Sequence, residues 1–318
     1  MSTHGLQPIA VSDYERGVYP KTDENFVDFV SNWRHLRDRF TIFLGAGASV
    51  GARDGNGEFF PTAAYLRNEL WREFMLSEAE QAHFDYSSLG LMSLEHAAAI
   101  IEAKVGRDSL IRHLQRRFAI ARPLWPHCVL AYLRPKGIFT TNYYRLVEEG
   151  WNRAKTTMQI DDLFHVFSPS AIPTASGVLL FKPHGTVEHG KSPVGEGGLV
   201  ISQFDYFQMI SDHKTLLDRF LLGMESSCVL FVGYSFLDMD IGSYLWSLRE
   251  KDSTTPWYAV FPRNDPDVRR MYLQQFNIRQ INRRFHDFLA DLDKKINFIP
   301  DRWKFSKIKR LQSEGLVA

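Results

Sequence analysis

Four short loops of this 318-residue chain combine glycine with side chains that can bind or react. They are Gly45-Ala46-Gly47-Ala48-Ser49, Thr140-Thr141-Asn142, His184-Gly185 and Gly233-Tyr234-Ser235. Glycine after a strand lets the backbone approach a phosphate group closely and leaves N–H groups aimed at it. A buried amide must find hydrogen-bond partners, and an imidazole between proline and glycine can be presented at the tip of a loop. The loops therefore indicate a site for a phosphate-bearing ligand with an amide and an imidazole nearby.

Each loop taken alone also has a structural explanation. The Gly45 loop lacks the third glycine of the dinucleotide fingerprint, because Val50 stands at that position, so a tight turn explains it equally well. Asn142 is a common residue in Asx turns and helix caps. A single histidine such as His184 is more often structural than catalytic. The functional interpretation depends on the four loops meeting at one place.

Apolar runs precede the loops, and stretches with helical periodicity separate them. Five runs predict buried strands, at 40–44, 136–140, 178–181, 229–232 and 257–261. Parallel strands require crossover helices, so this alternation predicts an α/β fold with a doubly wound, mostly parallel, Rossmann-like sheet. Ligands of such sheets bind at the carboxyl ends of the strands. The four loops follow strands, and we expect them to converge at that edge.

The chain divides by composition and periodicity into three regions. They are an N-terminal arm at 1–21, a main domain at 22–296 with a helical insertion at about 61–135, and a basic C-terminal tail at 297–318. Thr22 is expected to cap the first helix, and a closing amphipathic helix is expected to carry Ile281. From Asp267 onward there are twelve Lys and Arg against six acidic residues. This favours a solvated helix face with a mobile end over a docking surface for a partner or nucleic acid.

Composition restricts the class of protein further. With 38 Lys and Arg against 37 Asp and Glu, the net charge of +1 creates no overall field that would attract nucleic acid or anionic lipid. Cys128 and Cys228 are too few for a disulfide framework or a four-cysteine zinc module, so we predict no metal site. No apolar stretch approaches the roughly 20 residues that span a bilayer, and the first residues show no signal-peptide pattern. We expect a cytoplasmic protein without membrane association.

Together and in order, four motifs resemble the SIR2-like domains of the divergent prokaryotic branch that occurs in antiphage defence proteins. The matching segments are Gly45-Ala-Gly-Ala-Ser49, Thr140-Thr-Asn-Tyr143, Lys182-Pro-His-Gly185 and Gly233-Tyr-Ser-Phe-Leu-Asp238. The resemblance implies a sirtuin-type fold with an NAD pocket, in which Asn142 and His184 are the catalytic residues. The expected NAD contacts are Gly45, Ala46, Gly47, Ser49, Thr141, Gly233 and Ser235. Tyr144 replaces the acidic residue usual in the family, which leaves the nicotinamide contacts open.

The same resemblance implies an enzyme that consumes NAD. Without a zinc module, hydrolysis of NAD+ to nicotinamide and ADP-ribose is favoured over protein deacetylation. Asn142 would orient a water molecule beneath C1′ of the ribose, and His184 would bind the ribose hydroxyls or accept a proton. Two alternatives stay open, a sensor that binds NAD or a derivative without chemistry and an ADP-ribosyltransferase. We also expect a homo-oligomer whose activity is gated by its assembly state or by a partner protein of a defence system, such as an ATPase or helicase-like subunit.

Overall fold

One parallel sheet of seven strands organises the chain. The computed structural model describes residues 23–119, 122–166, 177–194, 196–209, 228–236, 239–251, 255–262 and 265–318, so the expected N-terminal arm, the Thr22 cap and Asp238 lie outside the described residues. Every pairing between the strands is parallel. The strands are β1 Phe40–Leu44, β2 Gly137–Thr140, β3 Leu163–Val166, β4 Val178–Phe181, β5 Cys228–Val232, β6 Trp257–Val260 and β7 Ile278–Ile281.

Helices connect the strands and cover the sheet. A group of them lies between β1 and β2, where the helical insertion was predicted. The helices are α1 Glu24–Leu36, α2 Ala63–Met75, α3 Glu78–Gln81, α4 Leu94–Val105, α5 Arg107–Arg117, α6 Trp125–Val129, α7 Leu146–Lys155, α8 Met239–Lys251, α9 Pro266–Phe276, α10 Phe285–Ile296 and α11 Ile308–Ser313. A further helical segment occupies 203–209.

The strand order is β3-β4-β2-β1-β5-β6-β7, with β1 near the centre. From β1 the chain builds one half of the sheet through β2, β3 and β4, and then crosses to β5 on the other side of β1. The direction of winding therefore reverses between β1 and β5, and such a switch point is where open α/β sheets bind ligands. The register pairs Leu44 with both Thr140 and Val232, so these three strands end at the same level. The prediction of a doubly wound parallel sheet is confirmed.

Alternating side chains of the strands fill two cores, one on each face of the sheet. Ile42 and Leu44 point into the core that also contains α1, α6, α7 and α10. Phe43 points the opposite way, where its ring contacts the rings of Phe139 and Phe231. A third apolar cluster joins α2, α4 and α5 to the loops beyond β2 and β4. The helical insertion therefore packs directly against the edge of the sheet where the predicted site lies.

Two strands and one helix boundary differ from the prediction. Both β3 and β7 were missed because each carries polar residues within a short run, His165 in β3 and Arg279 and Gln280 in β7. Ile281 ends β7 and does not belong to the closing helix, which begins at Phe285. At the start of α1, Asp23 is the cap, and its carboxylate accepts a hydrogen bond from the N–H of Phe26 at 3.2 Å.

The C-terminal segment is folded and does not form the mobile end that its composition favoured. Trp303, Leu311 and Val317 are at most 1% exposed and belong to one of the two sheet cores. The indole N–H of Trp125 donates to the carbonyl of Trp303 at 2.7 Å. The basic residues lie on the outside of a segment whose apolar residues anchor it. No helix among the described residues has the length and apolar character needed to cross a bilayer.

Candidate active site

The loops that follow β1 and β5 are locked together at the switch point. The N–H of Gly45 donates to the carbonyl of Val232 at 3.0 Å, and the N–H of Gly47 donates to the carbonyl of Gly233 at 2.9 Å. Gly233 has a φ of +59°, and a Cβ added there would lie 2.2 Å from the nitrogen of Ala48. The glycines at these positions are therefore required by contact between the two loops.

This contact limits how the glycine loop can hold a phosphate. Two of the N–H groups that the motif offers, those of Gly45 and Gly47, are already bonded to the β5 segment. Ala46 and Gly47 remain exposed at the edge of the sheet, and Ser235 of the β5 loop is exposed as well. The hydroxyl of Ser49, which is 2% exposed, lies 3.3 Å from His127 Nε2 and is therefore engaged beneath the loop in this conformation. A ligand at the switch point would therefore lie over the exposed surface of Ala46 and Gly47.

Asn142 is held at the end of β2 by the end of β1. Its Nδ2 donates to the carbonyl of Gly45 at 3.1 Å. The hydroxyl of Thr140 donates to the carbonyl of Leu44 at 2.9 Å and accepts from the N–H of Asn142 at 3.1 Å. Within the described residues, no hydrogen bond uses the Oδ1 atom of Asn142. The amide is therefore fixed through its nitrogen atom, and its oxygen atom remains able to accept a hydrogen bond. The neighbouring Thr141 is partly exposed.

His184 lies in the loop beyond β4 and is 3% exposed. Gly185 follows with a φ of +70°, and a Cβ there would lie 2.1 Å from the carbonyl oxygen of Gly198. The carbonyl of His184 accepts from the N–H of Val200 at 3.1 Å. Its Nδ1 lies 3.4 Å from the hydroxyl of Tyr206, whose ring meets the imidazole edge to face. The segment between β4 and β5 thus fixes the backbone of this loop through Val200 and contacts the imidazole through Tyr206.

The carbonyl of Tyr143 joins the Asn142 loop to the His184 loop. The carbonyl of Tyr143 accepts from the N–H of Val187 at 3.1 Å and from the hydroxyl of Thr186 at 3.2 Å. The ring centroids of Tyr143 and His184 are 6.3 Å apart. Since β2 and β4 are neighbours in the sheet, both loops leave the same edge side by side. The structure therefore brings the predicted amide and imidazole into adjoining loops.

A buried ionic cluster beneath these loops was not foreseen from the sequence. The ammonium group of Lys182 donates to Glu148 Oε1 and to the carbonyl of Tyr144, both at 2.9 Å. His165 Nε2 lies 3.1 Å from the same carboxylate oxygen. Burial would raise the pKa of Glu148, but the charge of Lys182 and hydrogen bonds from His165 and Lys182 outweigh it and hold that pKa below its usual range. Glu148 is therefore ionised at neutral pH.

A second buried cluster surrounds the hydroxyl of Ser49. His127 Nε2 lies 3.3 Å from this hydroxyl, and His127 Nδ1 accepts from the N–H of Leu124 at 3.2 Å. Burial lowers the pKa of His127 to about 4, so the ring is neutral and its proton sits on Nε2. Burial also raises the pKa of Tyr144, which hydrogen-bonds to Ser49. The helical insertion is thus connected to the glycine loop by a neutral histidine that donates to Ser49.

The surroundings of the two cysteines support neither a nucleophilic nor a metal-binding role. Both are free and buried, and burial raises the pKa of each thiol to about 12. Such thiols are poor nucleophiles and poor metal ligands at neutral pH. In the part of the chain that the structure describes, no group of three or more His, Cys, Asp or Glu side chains is arranged to hold a metal ion.

A cavity of about 590 Å³ opens beside the site, between α5 and α7, and its lining includes neither Asn142 nor His184. Arg145, at the start of α7, lies 3.4 Å from Glu188 and 3.8 Å from Glu149. Arg153 donates to two backbone carbonyls near the C-terminus, at 2.6 and 2.7 Å. Arg145 is thus paired with acidic side chains and Arg153 is held by backbone carbonyls, and Arg122 also lines the cavity. Because neither Asn142 nor His184 belongs to this lining, we place the site at the strand ends.

Comparison with known proteins gives one family match. No curated protein matches the chain in sequence. Of the solved structures, one described as "Structural Basis for the Mechanism and Regulation of Sir2 Enzymes" is 14% identical, covers 92% of this chain and 100% of its own, and has a TM-score of 0.45. Residues 136–281, which run from the residue before β2 to the end of β7 and contain both Asn142 and His184, match the model of the SIR2-like domain family.

Proposed function

We propose that this chain is an NAD+ glycohydrolase that cleaves the bond between nicotinamide and ribose, with Asn142 and His184 as its catalytic residues. The observation that carries the proposal is the junction at Tyr143, whose carbonyl binds both Thr186 and Val187 and so holds the two loops together. The SIR2-like match includes both loops. NAD-dependent chemistry is what that family suggests in general, and hydrolysis is our specific assignment.

The proposed reaction needs little acid catalysis. When the C–N bond breaks, nicotinamide leaves as a neutral molecule with the bonding electron pair, and positive charge develops at C1′ of the ribose. Water then adds to C1′, and one proton is released. The enzyme therefore has to position water and ribose and to accept that proton.

The two side chains suit these tasks. Because Nδ2 of Asn142 is held by the carbonyl of Gly45, Oδ1 is the atom that would accept a hydrogen bond from the attacking water. His184 would accept the proton as water attacks, or hydrogen-bond the ribose hydroxyls. The pyrophosphate would lie over the exposed backbone of Ala46 and Gly47, beside Gly45, Gly233 and Thr141, and the adenosine side would reach Ser235. In the present conformation Ser49 would hold the glycine loop in place through its contact with His127 and would not bind the pyrophosphate.

The direct test is release of nicotinamide from NAD+ by the purified full chain, followed by chromatography. Wild type is expected to produce nicotinamide and ADP-ribose in equal amounts. Asn142→Ala and His184→Ala are expected to lose at least about 100-fold in turnover while remaining folded. Matched controls are Asn152→Ala and His189→Ala, which change exposed residues of the same types in α7 and in the His184 loop. Wild-type turnover in either catalytic variant would remove that residue from the mechanism.

The same assay distinguishes the alternatives. A sensor would bind NAD+, as measured by calorimetry, and return it intact. An ADP-ribosyltransferase would transfer label from adenine-labelled NAD+ to a macromolecule instead of releasing free ADP-ribose. Either result would replace hydrolysis as the function of this site.

We also propose that the enzyme acts in the cytoplasm as the NAD-depleting effector of a bacterial antiphage defence system. Unrestrained loss of NAD is toxic, so activity would be gated by assembly into a homo-oligomer or by a partner protein. Cellular NAD, measured during phage infection of bacteria that express either wild type or Asn142→Ala, tests this role. Equal NAD levels in the two strains throughout infection would contradict it.

A further inference from the structure

One buried ammonium group contacts both of the loops that carry the candidate catalytic residues. Lys182 precedes His184 by two positions and leaves the end of β4. Its Nζ reaches across to the carbonyl of Tyr144, two positions after Asn142, and to Glu148 in the first turn of α7. The side chain of Lys182 is 0% exposed and that of Glu148 is 4% exposed. The contact is therefore made without competition from solvent.

Stability alone gives a weak reason for such a pair. Removing two charges from water is costly, and buried ion pairs can often be replaced by apolar or neutral residues of similar size without loss of stability. What the pair provides is a fixed position for the groups that it binds. An ammonium group held by a carboxylate on α7 fixes the position of the Tyr144 carbonyl, and with it the backbone that presents Asn142.

We infer that Lys182 and Glu148 are positioning residues that set the placement of Asn142 relative to His184, an inference that rests on the proposed NAD+ hydrolysis. Both side chains are bound to each other and to protein groups beneath the loops, so neither is expected to contribute to NAD+ binding. The second connection between the loops, at the Tyr143 carbonyl, involves only backbone and the Thr186 hydroxyl. The ionic pair adds the connection to the rigid helix α7.

The test uses the double variant Lys182→Met/Glu148→Gln. It removes both charges at similar volume, keeps an amide beside His165, and avoids the unpaired buried carboxylate that Lys182→Met alone would leave. Misplacement of a reacting group by about 1 Å can cost roughly 100-fold in rate. We therefore expect kcat to fall between about 10- and 100-fold, with KM for NAD+ changed by less than about 3-fold and the urea midpoint of unfolding close to that of wild type.

Lys304→Met is the matched control. Lys304 likewise donates to two oxygen atoms, those of the Asp293 and Asn297 side chains, each at 2.7 Å, but it lies in the C-terminal segment beyond α10. This variant is expected to keep the wild-type kcat. A double variant that is folded and turns over NAD+ at the wild-type rate would overturn the positioning role. An equal loss of kcat in Lys304→Met would also overturn it, because the effect would then be general.

Amide hydrogen exchange separates this inference from the proposed function. The N–H of Val187 binds the Tyr143 carbonyl and therefore reports whether the two loops stay together. In the double variant this amide is expected to exchange at least about 10-fold faster, while that of Ile299, which binds Asp293 far from the site, stays unchanged. If wild type releases no nicotinamide, the proposed function fails, but faster exchange at Val187 still supports the positioning role. Unchanged exchange at Val187 refutes that role whether or not NAD+ is hydrolysed.

Discussion

The neutral histidine beneath the glycine loop makes the stability of the fold depend on pH. The pKa of His127 falls from 6.5, its ordinary value, to about 4 because the ring is buried. The unfolded chain therefore binds a proton at His127 between these two pH values, and the folded chain does not. The contribution of the neutral His127 ring to the free energy of unfolding is fully present above pH 6.5 and is lost progressively as the pH falls toward 4.

The size of this effect follows from the two pKa values. One pKa unit corresponds to about 1.4 kcal/mol, so the full shift amounts to roughly 3 kcal/mol. Between pH 7 and pH 5, proton linkage at this one histidine lowers the free energy of unfolding by about 2 kcal/mol. Glu148, whose pKa is lowered, keeps its stabilising contribution above its ordinary pKa of 4.5 and loses it only below that pH, so it changes little between pH 7 and pH 5.

Urea unfolding at pH 7 and pH 5 measures the prediction directly. Wild type should lose about 2 kcal/mol more than His127→Gln over this interval, because glutamine has no titrating group but keeps an N–H donor that can reach the Ser49 hydroxyl. His127→Gln is expected to be less stable than wild type at pH 7, since glutamine leaves the N–H of Leu124 without its acceptor. Equal losses in the two proteins, or a measured pKa of His127 above 6, would refute the assignment of a buried neutral ring.

Two further variants separate the packing role of the glycine loop from its proposed binding role. Gly233→Ala places a Cβ in a left-handed conformation against Ala48, and urea unfolding should show a loss of at least about 2 kcal/mol. Ala46→Leu changes an exposed residue, so stability should stay within about 0.5 kcal/mol, while calorimetry should show at least about 10-fold weaker NAD+ binding. Full NAD+ affinity in Ala46→Leu would place the dinucleotide elsewhere.

The strand-end loops could be predicted because their signals are local. A buried apolar run followed by glycine or a small polar residue indicates the end of a strand wherever it occurs, and parallel strands end at one edge. The register that pairs Leu44 with Thr140 and Val232 places the ends of β1, β2 and β5 at the same level of the sheet. The edge strands were harder, because β3 is exposed on one side and β7 contains Arg279 and Gln280. Short runs with polar residues have no signal that distinguishes them from loops.

The buried ionic cluster could not be predicted for a different reason. Glu148 lies in the first turn of an amphipathic helix, where an acidic residue is ordinarily solvated, and a lysine after a strand is typically exposed as well. Only the tertiary contact between α7 and the end of β4 converts them into a buried pair. His127 does not follow a strand, so its sequence context gives no sign of its contact with Ser49, which lies 78 positions away in the sequence.

The packing of the switch point also changes how its glycine motif is interpreted. A glycine after a strand is usually explained by close approach to a phosphate, yet here the N–H groups of Gly45 and Gly47 are bonded to the neighbouring loop. The carbonyl of Gly45 in turn accepts from Asn142. The glycine loop therefore acts on the candidate catalytic amide directly, by fixing its nitrogen side and leaving its oxygen as the acceptor. Substitution of these glycines would consequently disturb the placement of Asn142 even if no phosphate ever touched them, so loss of activity in such variants is not by itself evidence of phosphate binding.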